Sequence, residues 1–193
     1  KIRTAARSLL GLINDILDIS KIEAGKIELA AEKFDMAKLL DAVGAIIKPR
    51  CAEKNIAFTM TTALNGHTVF VSDPLRLRQV LINLLGNAVK FTPECGTVDF
   101  AVNAKEFTDG KALVEFTVKD NGIGISDTVR EKLFSPFEQG DLRISSQYGG
   151  TGLGPSISRN IGRLLGGDIQ VPTPQGEGRT FSFPTRPPEP FPP

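Results

Sequence analysis

Apolar positions recur at two different periods along the 193-residue chain, and the switches between them mark its elements. In residues 1 to about 24, Leu9, Ile13, Ile16 and Ser20 follow a four-three-four spacing. Ala6, Leu10, Leu17 and Ile22 widen that stripe, while Asn14, Asp15, Asp18 and Lys21 lie mostly off it. This predicts an amphipathic helix whose narrow seam wants a partner helix, with Gly25 as its stop. The alternative is a helix packed on its own domain. Lys26 to Leu29 alternates and predicts a short strand. Met36 to Lys48 places Leu39, Leu40, Val43, Ile46 and Ile47 at helical spacing, with Asp35 as N-cap and Pro49 beyond the end. Ile56 to Thr62 and Thr68 to Val71 read as strands, and Asp73-Pro74 opens another helix.

In that helix Val80, Leu81, Leu84, Leu85 and Ala88 form the stripe to be buried. Asn83, Asn87 and Lys90, four and three residues apart, share one face. Thr97 to Val102 and Leu113 to Lys119 alternate and predict an antiparallel pair, turning at Asp109-Gly110 and leading into Asp120. Val129 to Phe134 is a short helix, and Glu138 to Gly150 is polar without periodicity, a kind of stretch that is usually functional or mobile. Ser156 to Leu165 is a helix ended by Gly166-Gly167. Ile169 to Val171 and Thr180 to Phe183 should close the sheet as a hairpin, shortened by Pro172 and Pro174. Pro184 to Pro193 is a proline-rich, disordered tail. The whole predicts an α/β two-layer sandwich: one mixed sheet covered on one face by helices.

Composition narrows the function class only a little. Apolar residues at 40% and charged residues at 23% are ordinary for a soluble globular chain, and a net charge of +1 points to neither nucleic acid nor a membrane surface. Cys51 and Cys95 have no metal-ligand spacing and read as reduced thiols of a cytoplasmic protein. No apolar run approaches the roughly eighteen residues of a membrane span, and no signal peptide is present. The chain opens without Met, as if in mid-helix. It reads as a piece of a larger protein, whose membrane anchoring this stretch does not address.

Chemistry concentrates in four blocks: Gln79 to Thr92, Asp120-Asn-Gly-Ile-Gly124, Phe134-Ser-Pro-Phe137 and Gly149-Gly-Thr-Gly-Leu-Gly154. In this order they resemble the asparagine box, first glycine box, phenylalanine box and second glycine box of sensor histidine kinases. Those kinases belong to the GHKL superfamily, built on the Bergerat ATP-binding fold. The resemblance covers roughly Leu9 to Phe183, and Phe134 to Gly154 look most like the hybrid type. It divides the chain into residues 1–24, similar to the second helix of the dimerisation and phosphoacceptor hairpin, a catalytic ATP-binding domain over 25–183, and the tail over 184–193. The family's phosphoacceptor His, followed by Glu or Asp, belongs to the first hairpin helix. His67, the one histidine here, sits in Asn65-Gly-His-Thr without an acidic follower and reads as structural.

The resemblance implies a site for ATP and Mg²⁺. Asp120 would accept a hydrogen bond from the adenine N6 amine, with Phe91, Gly122, Ile123 and Gly124 around it. Gly149, Gly150, Thr151, Gly152, Leu153 and Gly154 precede a helix whose N-terminus favours a polyphosphate. Without Gly-Lys-Ser/Thr or a following βαβ unit this is neither a Walker loop nor a dinucleotide fingerprint. Lys90 would add a phosphate charge, and Asn87 would hold Mg²⁺ through its amide oxygen with Asn83 as helper. Phe134 and Phe137 would hold the hinge of a lid, or else be core residues. Thr180, in Gly176-Glu-Gly178-Arg-Thr180, matches a further glycine motif. Pro155 departs from the family, which carries an apolar residue there; proline is tolerable in a first helical turn.

Gyrase-type and MutL-type ATPases of the superfamily place a general-base Glu where this chain has Asn83, and an amide cannot take a proton from water. The resemblance therefore implies a kinase that passes the γ-phosphate to a His on the first hairpin helix, for relay to a response-regulator Asp in a two-component system. The implied partners are a second copy through the hairpin helix and a receiver domain, with no nucleic acid and no membrane contact. The competing readings are a degenerate kinase domain that only binds nucleotide or partner, and a gyrase- or MutL-like ATPase.

Overall fold

The computed structural model describes residues 10, 13, 16–22, 24–66, 68–106, 112–126, 129–130, 133–134, 152–171 and 179–185. In chain order the elements are α1 (16–22), β1 (Glu32–Asp35), α2 (Met36–Glu53), β2 (Ala57–Ala63), β3 (Val69–Ser72), α3 (Pro74–Phe91), β4 (Thr97–Glu106), β5 (Ala112–Asp120), α4 (Gly154–Leu164) and β6 (Arg179–Thr185). Alternation in β4 and β5 decides the layering. Val98, Phe100, Val102 and Ala104, and across from them Val114, Phe116, Val118 and Asp120, are all buried, and the residues between them are not.

The sheet runs in the order β2-β4-β5-β6, with β2 parallel to β4 and the other pairs antiparallel. It is mixed, as expected. Leu40, Val43 and Ile47 of α2, Leu81, Leu84 and Leu85 of α3, and Ile157 and Ile161 of α4 complete the core against Phe100 and Phe116, whose rings stack 6.5 Å apart. β1 and β3 form a separate antiparallel ribbon, Glu32 opposite Ser72, with Phe34 and Phe70 in contact across it. Among the described residues no helix is long and apolar enough to cross a membrane.

Helix starts follow the sequence closely. Asp35 caps α2 by accepting from Lys38 N at 3.0 Å, and Asp73 caps α3 by accepting from Arg76 N at 2.9 Å. Gly25 and Gly166 end their helices with the same device. In α4, Gly166 at φ +88° lets its own N–H reach Arg163 O and that of Gly167 reach Gly162 O, at 3.0 and 2.9 Å.

Four expectations are corrected. Lys26 to Leu29 is not a strand; the strand comes later, at Glu32–Asp35, because pairing with β3 fixes its place, and just upstream Ala30 N donates to the Asp73 carboxylate at 3.1 Å. Pro49 lies inside α2, not beyond it. Its ring is exposed, and the turn after it carries Cys51 into the core, where burial pushes the thiol pKa up. Ile169 to Val171 gives one bridged residue, Gln170, and no strand, so β6 closes the sheet by pairing with β5. β6 also takes in Pro184 and Thr185, which the sequence reading places in the tail; a proline is admissible on this edge strand.

Helix α1 is only half engaged. Ile19 and Ile22 pack on the core, and Asp18 accepts from Arg76 Nη1 at 3.0 and 3.1 Å and from Gln79 Nε2 at 2.8 Å. Ile13, Ile16, Leu10 and Leu17, all from the expected seam, remain 46 to 59% exposed. The Asp109-Gly110 turn, His67 and residues 135–151 fall outside the described residues. The expected helix over 129–134 is described only as helical Val129 and Arg130 followed by a turn at Leu133 and Phe134.

Candidate functional site

The site is built on α3. Its stripe of Leu77, Val80, Leu81, Leu84, Leu85, Ala88 and Val89 faces the core, which leaves Asn83, Asn87, Lys90 and Phe91 half-buried along its flank. The last turn is fixed from two sides. Thr92 Oγ1 donates to Ala88 O at 2.7 Å, and Lys54 Nζ donates to the carbonyls of Val89 (2.9 Å), Lys90 (3.2 Å) and Thr92. A cation there complements the helix dipole and satisfies terminal carbonyls. Lys90 Nζ lies 4.7 Å from the centre of the Phe91 ring.

Asp120 is the last residue of β5, between Val98 of β4 and Arg179 of β6, and is 1% exposed. Its Oδ1 accepts from Gly122 N at 2.9 Å, which fixes the plane of the carboxylate. The chain then touches the end of α3, where Ile123 N donates to Phe91 O at 3.4 Å. A Cβ on Gly122 would stand 2.6 Å from both Asp120 Oδ1 and Phe91 O, so only glycine fits. Asn121 turns away and accepts from Thr97 N at 2.7 Å. Ile123 remains 45% exposed, while Gly124 and Ile125 are buried.

The second glycine block meets α3 nearer its middle. A Cβ on Gly154 would stand 2.7 to 3.1 Å from the Asn83 amide, and Asn83 Nδ2 donates to Ser158 Oγ at 2.6 Å. Leu153 is buried and half-buried Pro155 occupies the first turn of α4, where a proline gives up no helical hydrogen bond. The two contacts, at Asn83 and at Phe91, are about 12 Å apart along the helix axis. Asn87 stands midway between them, one turn from each. The grouping thus brings together Asn83 with Gly154, and Phe91 with Asp120, Gly122 and Ile123.

Phe134 packs against the core as a half-buried ring, with the Arg159 guanidinium 4.5 Å from its centre. Arg159 in turn forms a two-pronged ion pair with Asp168, at 2.9 and 3.2 Å, and Arg163 approaches the same carboxylate at 3.4 Å. The hydrogen bond from Arg159 holds the Asp168 carboxyl below its ordinary range. Of the remaining expected residues, Gly152 is half-buried with φ +71°, and Thr180 lies in β6 opposite Lys119. Phe137, Gly149, Gly150 and Thr151 fall outside the described residues. Lys54, Ser158 and Arg159 were not foreseen: nothing in their local sequence marks them, and their partners lie far along the chain or across a helix pair.

Residues 72–190 match the model of a family described as histidine kinase-, DNA gyrase B- and HSP90-like ATPases. The chain belongs to this ATPase family. It is 38% identical over 182 residues to the signal transduction histidine-protein kinase BarA of Escherichia coli K12, covering 94% of this chain and 20% of BarA. The chain therefore spans about a fifth of that relative's length. A crystal structure of full-length ShkA in complex with AMPPNP superposes with a TM-score of 0.79 at 34% identity, over 95% of this chain and 36% of that one. Histidine kinase ThkA, solved in complex with the response regulator protein TrrA, superposes with a TM-score of 0.69 at 26% identity, over 96% of this chain and 50% of its own. Within this ATPase family, BarA and ThkA are histidine kinases.

Proposed function

We propose that this chain is the ATP-binding catalytic part of a two-component sensor histidine kinase, and that it hands the γ-phosphate to a His on the first helix of a dimerisation hairpin. One observation carries the reading. Two glycine blocks close on one helix, a Cβ at Gly122 striking the Phe91 carbonyl and one at Gly154 displacing the Asn83 amide, and Asn87 stands between the two contacts. A buried carboxylate at one end, half-buried amides in the middle and an uncapped helix N-terminus beyond them match the polarity of adenine followed by phosphates. ShkA, the similar protein above, was solved with an ATP analogue, AMPPNP.

In this reading Asp120 accepts from the adenine amine, with Ile123 and Phe91 beside the base, and Lys90 and the Gly149 to Gly154 backbone hold the phosphates. Thr180 and Phe137 are further nucleotide-binding residues in this reading. The donor set fits a magnesium nucleotide, since a neutral amide oxygen from Asn87 serves a hard cation whose charge is balanced by phosphate. Mg²⁺, when bound, would neutralise phosphate charge. Asn83, an amide, offers water no proton acceptor at its own position, which favours keeping ATP for transfer. The exposed Leu10, Ile13, Ile16 and Leu17 suit pairing with the hairpin of a second copy, and a receiver domain is the onward partner; ThkA was solved in complex with the response regulator protein TrrA. The setting is cytoplasmic, whether or not the parent protein is anchored in a membrane.

The test uses γ-labelled ATP with the chain alone and with a dimerised hairpin that carries the phosphoacceptor His. Acid-labile, base-stable label on that His in the second reaction only is the expected result. Sustained hydrolysis by the chain alone would place it with the motor ATPases. Tight ATP binding without transfer to a folded hairpin would make it a degenerate, binding-only domain.

A further inference from the structure

We infer that Ser158 is a positioning residue of the nucleotide site, acting through Asn83; the inference rests on the reading of the site given above. Ser158 is 1% exposed, one helical turn after Gly154 on the same face of α4. Both residues meet the same side chain. The Asn83 amide nitrogen donates to Ser158 Oγ at 2.6 Å, and Gly154 passes so close that any Cβ would stand within 3.1 Å of the amide. Asn83 is thereby held between the first and second turns of α4.

The consequence is a fixed distance between two surfaces. On α3, Asn87 and Lys90 follow Asn83 along one flank, and on α4 the first turn has no side-chain cap of its own. Leu153, Ile157 and Ile161 seat α4 on the core, and Ser156 Oγ donates to Leu153 O at 2.8 Å in its first turn. The Asn83–Ser158 bond and the close passage of Gly154 add the polar contact that sets its N-terminus against α3. Asn83 therefore supports phosphate binding indirectly, by holding α4 against α3, and Ser158 supplies the acceptor that makes the hold directional.

The experiment measures ATP affinity by calorimetry with Mg²⁺ for the chain and for Ser158→Ala, Asn83→Ala, Gly154→Ala and the pairs Ser158→Ala/Asn83→Ala and Gly154→Ala/Asn83→Ala. Urea unfolding of each protein, with and without ATP, runs alongside. Ser158→Ala strands the amide nitrogen and is expected to weaken ATP binding roughly tenfold, with Asn83→Ala similar. The Ser158/Asn83 pair should lose no more than either single variant, because both changes break one interaction. Gly154→Ala should lose as much or more, and Asn83→Ala in the same chain should recover part of it by making room.

A tether with only a structural role would lower urea stability equally with and without ATP and leave the affinity unchanged, and that result overturns the inference. Additive losses in the Ser158/Asn83 pair would also overturn it. If the unsubstituted chain binds no ATP, the reading of the site falls and this inference with it. If the unsubstituted chain binds and Ser158→Ala binds equally well, the inference alone falls.

Discussion

The carbonyl of Phe91 and the carboxylate of Asp120 close on one point, each 2.6 Å from where a Cβ on Gly122 would stand. The end of a helix and the end of a strand are thus pressed together with a single glycine between them. Gly122→Ala should push Phe91 and Asp120 apart. Overpacking of this kind costs about 1–3 kcal/mol, and the displaced carboxylate should lose most of its ATP affinity while far-UV circular dichroism stays native. Native affinity in a folded variant would mean that the contact does not shape the site.

Asp120→Asn tests the adenine reader separately. The Asp120 oxygen fixed by Gly122 N survives as an amide oxygen, so the amide nitrogen takes the other position. A donor then faces the adenine amine, also a donor. Loss of a charge-assisted hydrogen bond is worth roughly 1.5–3 kcal/mol, a tenfold or larger loss for ATP with a relaxed preference against GTP. Parallel titrations with ATP and GTP measure both effects.

Asn87→Ala should abolish the part of ATP affinity that depends on Mg²⁺, and cost more than Asn83→Ala. Titrations with Mg²⁺ and with excess EDTA give the comparison. Equal Mg²⁺ dependence in the variant and the unsubstituted chain would remove Asn87 from the metal site.

Lys54→Met keeps the length of the side chain and deletes its ammonium. Three carbonyls at the end of α3 lose their donor, including those of Val89 and Lys90. Stability should fall by about 1.5–3 kcal/mol, or several degrees in Tm for a domain of this size. Lys54→Arg should recover part of it.

Asp168 makes stability depend on acid. Its carboxyl is held down chiefly by the hydrogen bond from Arg159, so the folded pKa lies below the ordinary carboxylate range. A depressed carboxyl contributes stability that is complete above the unfolded value and lost as pH falls through the folded one. The gap in urea stability between the unsubstituted chain and Asp168→Asn should therefore be level at pH 6 and shrink only below about pH 4. A gap that stays constant down to pH 2 would dissociate the ion pair from stability.

Elements stabilised by their own sequence were legible in it. Asp73-Pro74 announces α3 because cap and first turn are neighbours, and the alternation in β4 and β5 shows which face is covered. The Asn83, Asn87 and Lys90 face was legible for the same reason. What the sequence concealed depends on distant partners. β1 sits where β3 permits, α2 runs through Pro49 because Cys51 finds a place in the core beyond it, and the Asn83–Ser158 bond joins residues 75 positions apart. Lys54 belongs to the same group, since only the packing of α2 beside α3 carries its ammonium to the carbonyls it binds.

Helix α3 is held at both ends by charge: Asp18 of α1 grips Arg76 and Gln79 at its first turns, and Lys54 gathers the carbonyls of its last. It is loaded like a beam between two bolts. A tilt or slide of α1 reaches the beam at Arg76, and a stiff helix transmits it to Asn87 about 16 Å away as displacement of a rigid body. The polar bolt at Asp18 is open to salt screening, because its charges are partly exposed, at 15 and 21%. The stiffness of the joint between α1 and the site is thus set by ionic strength as well as by packing.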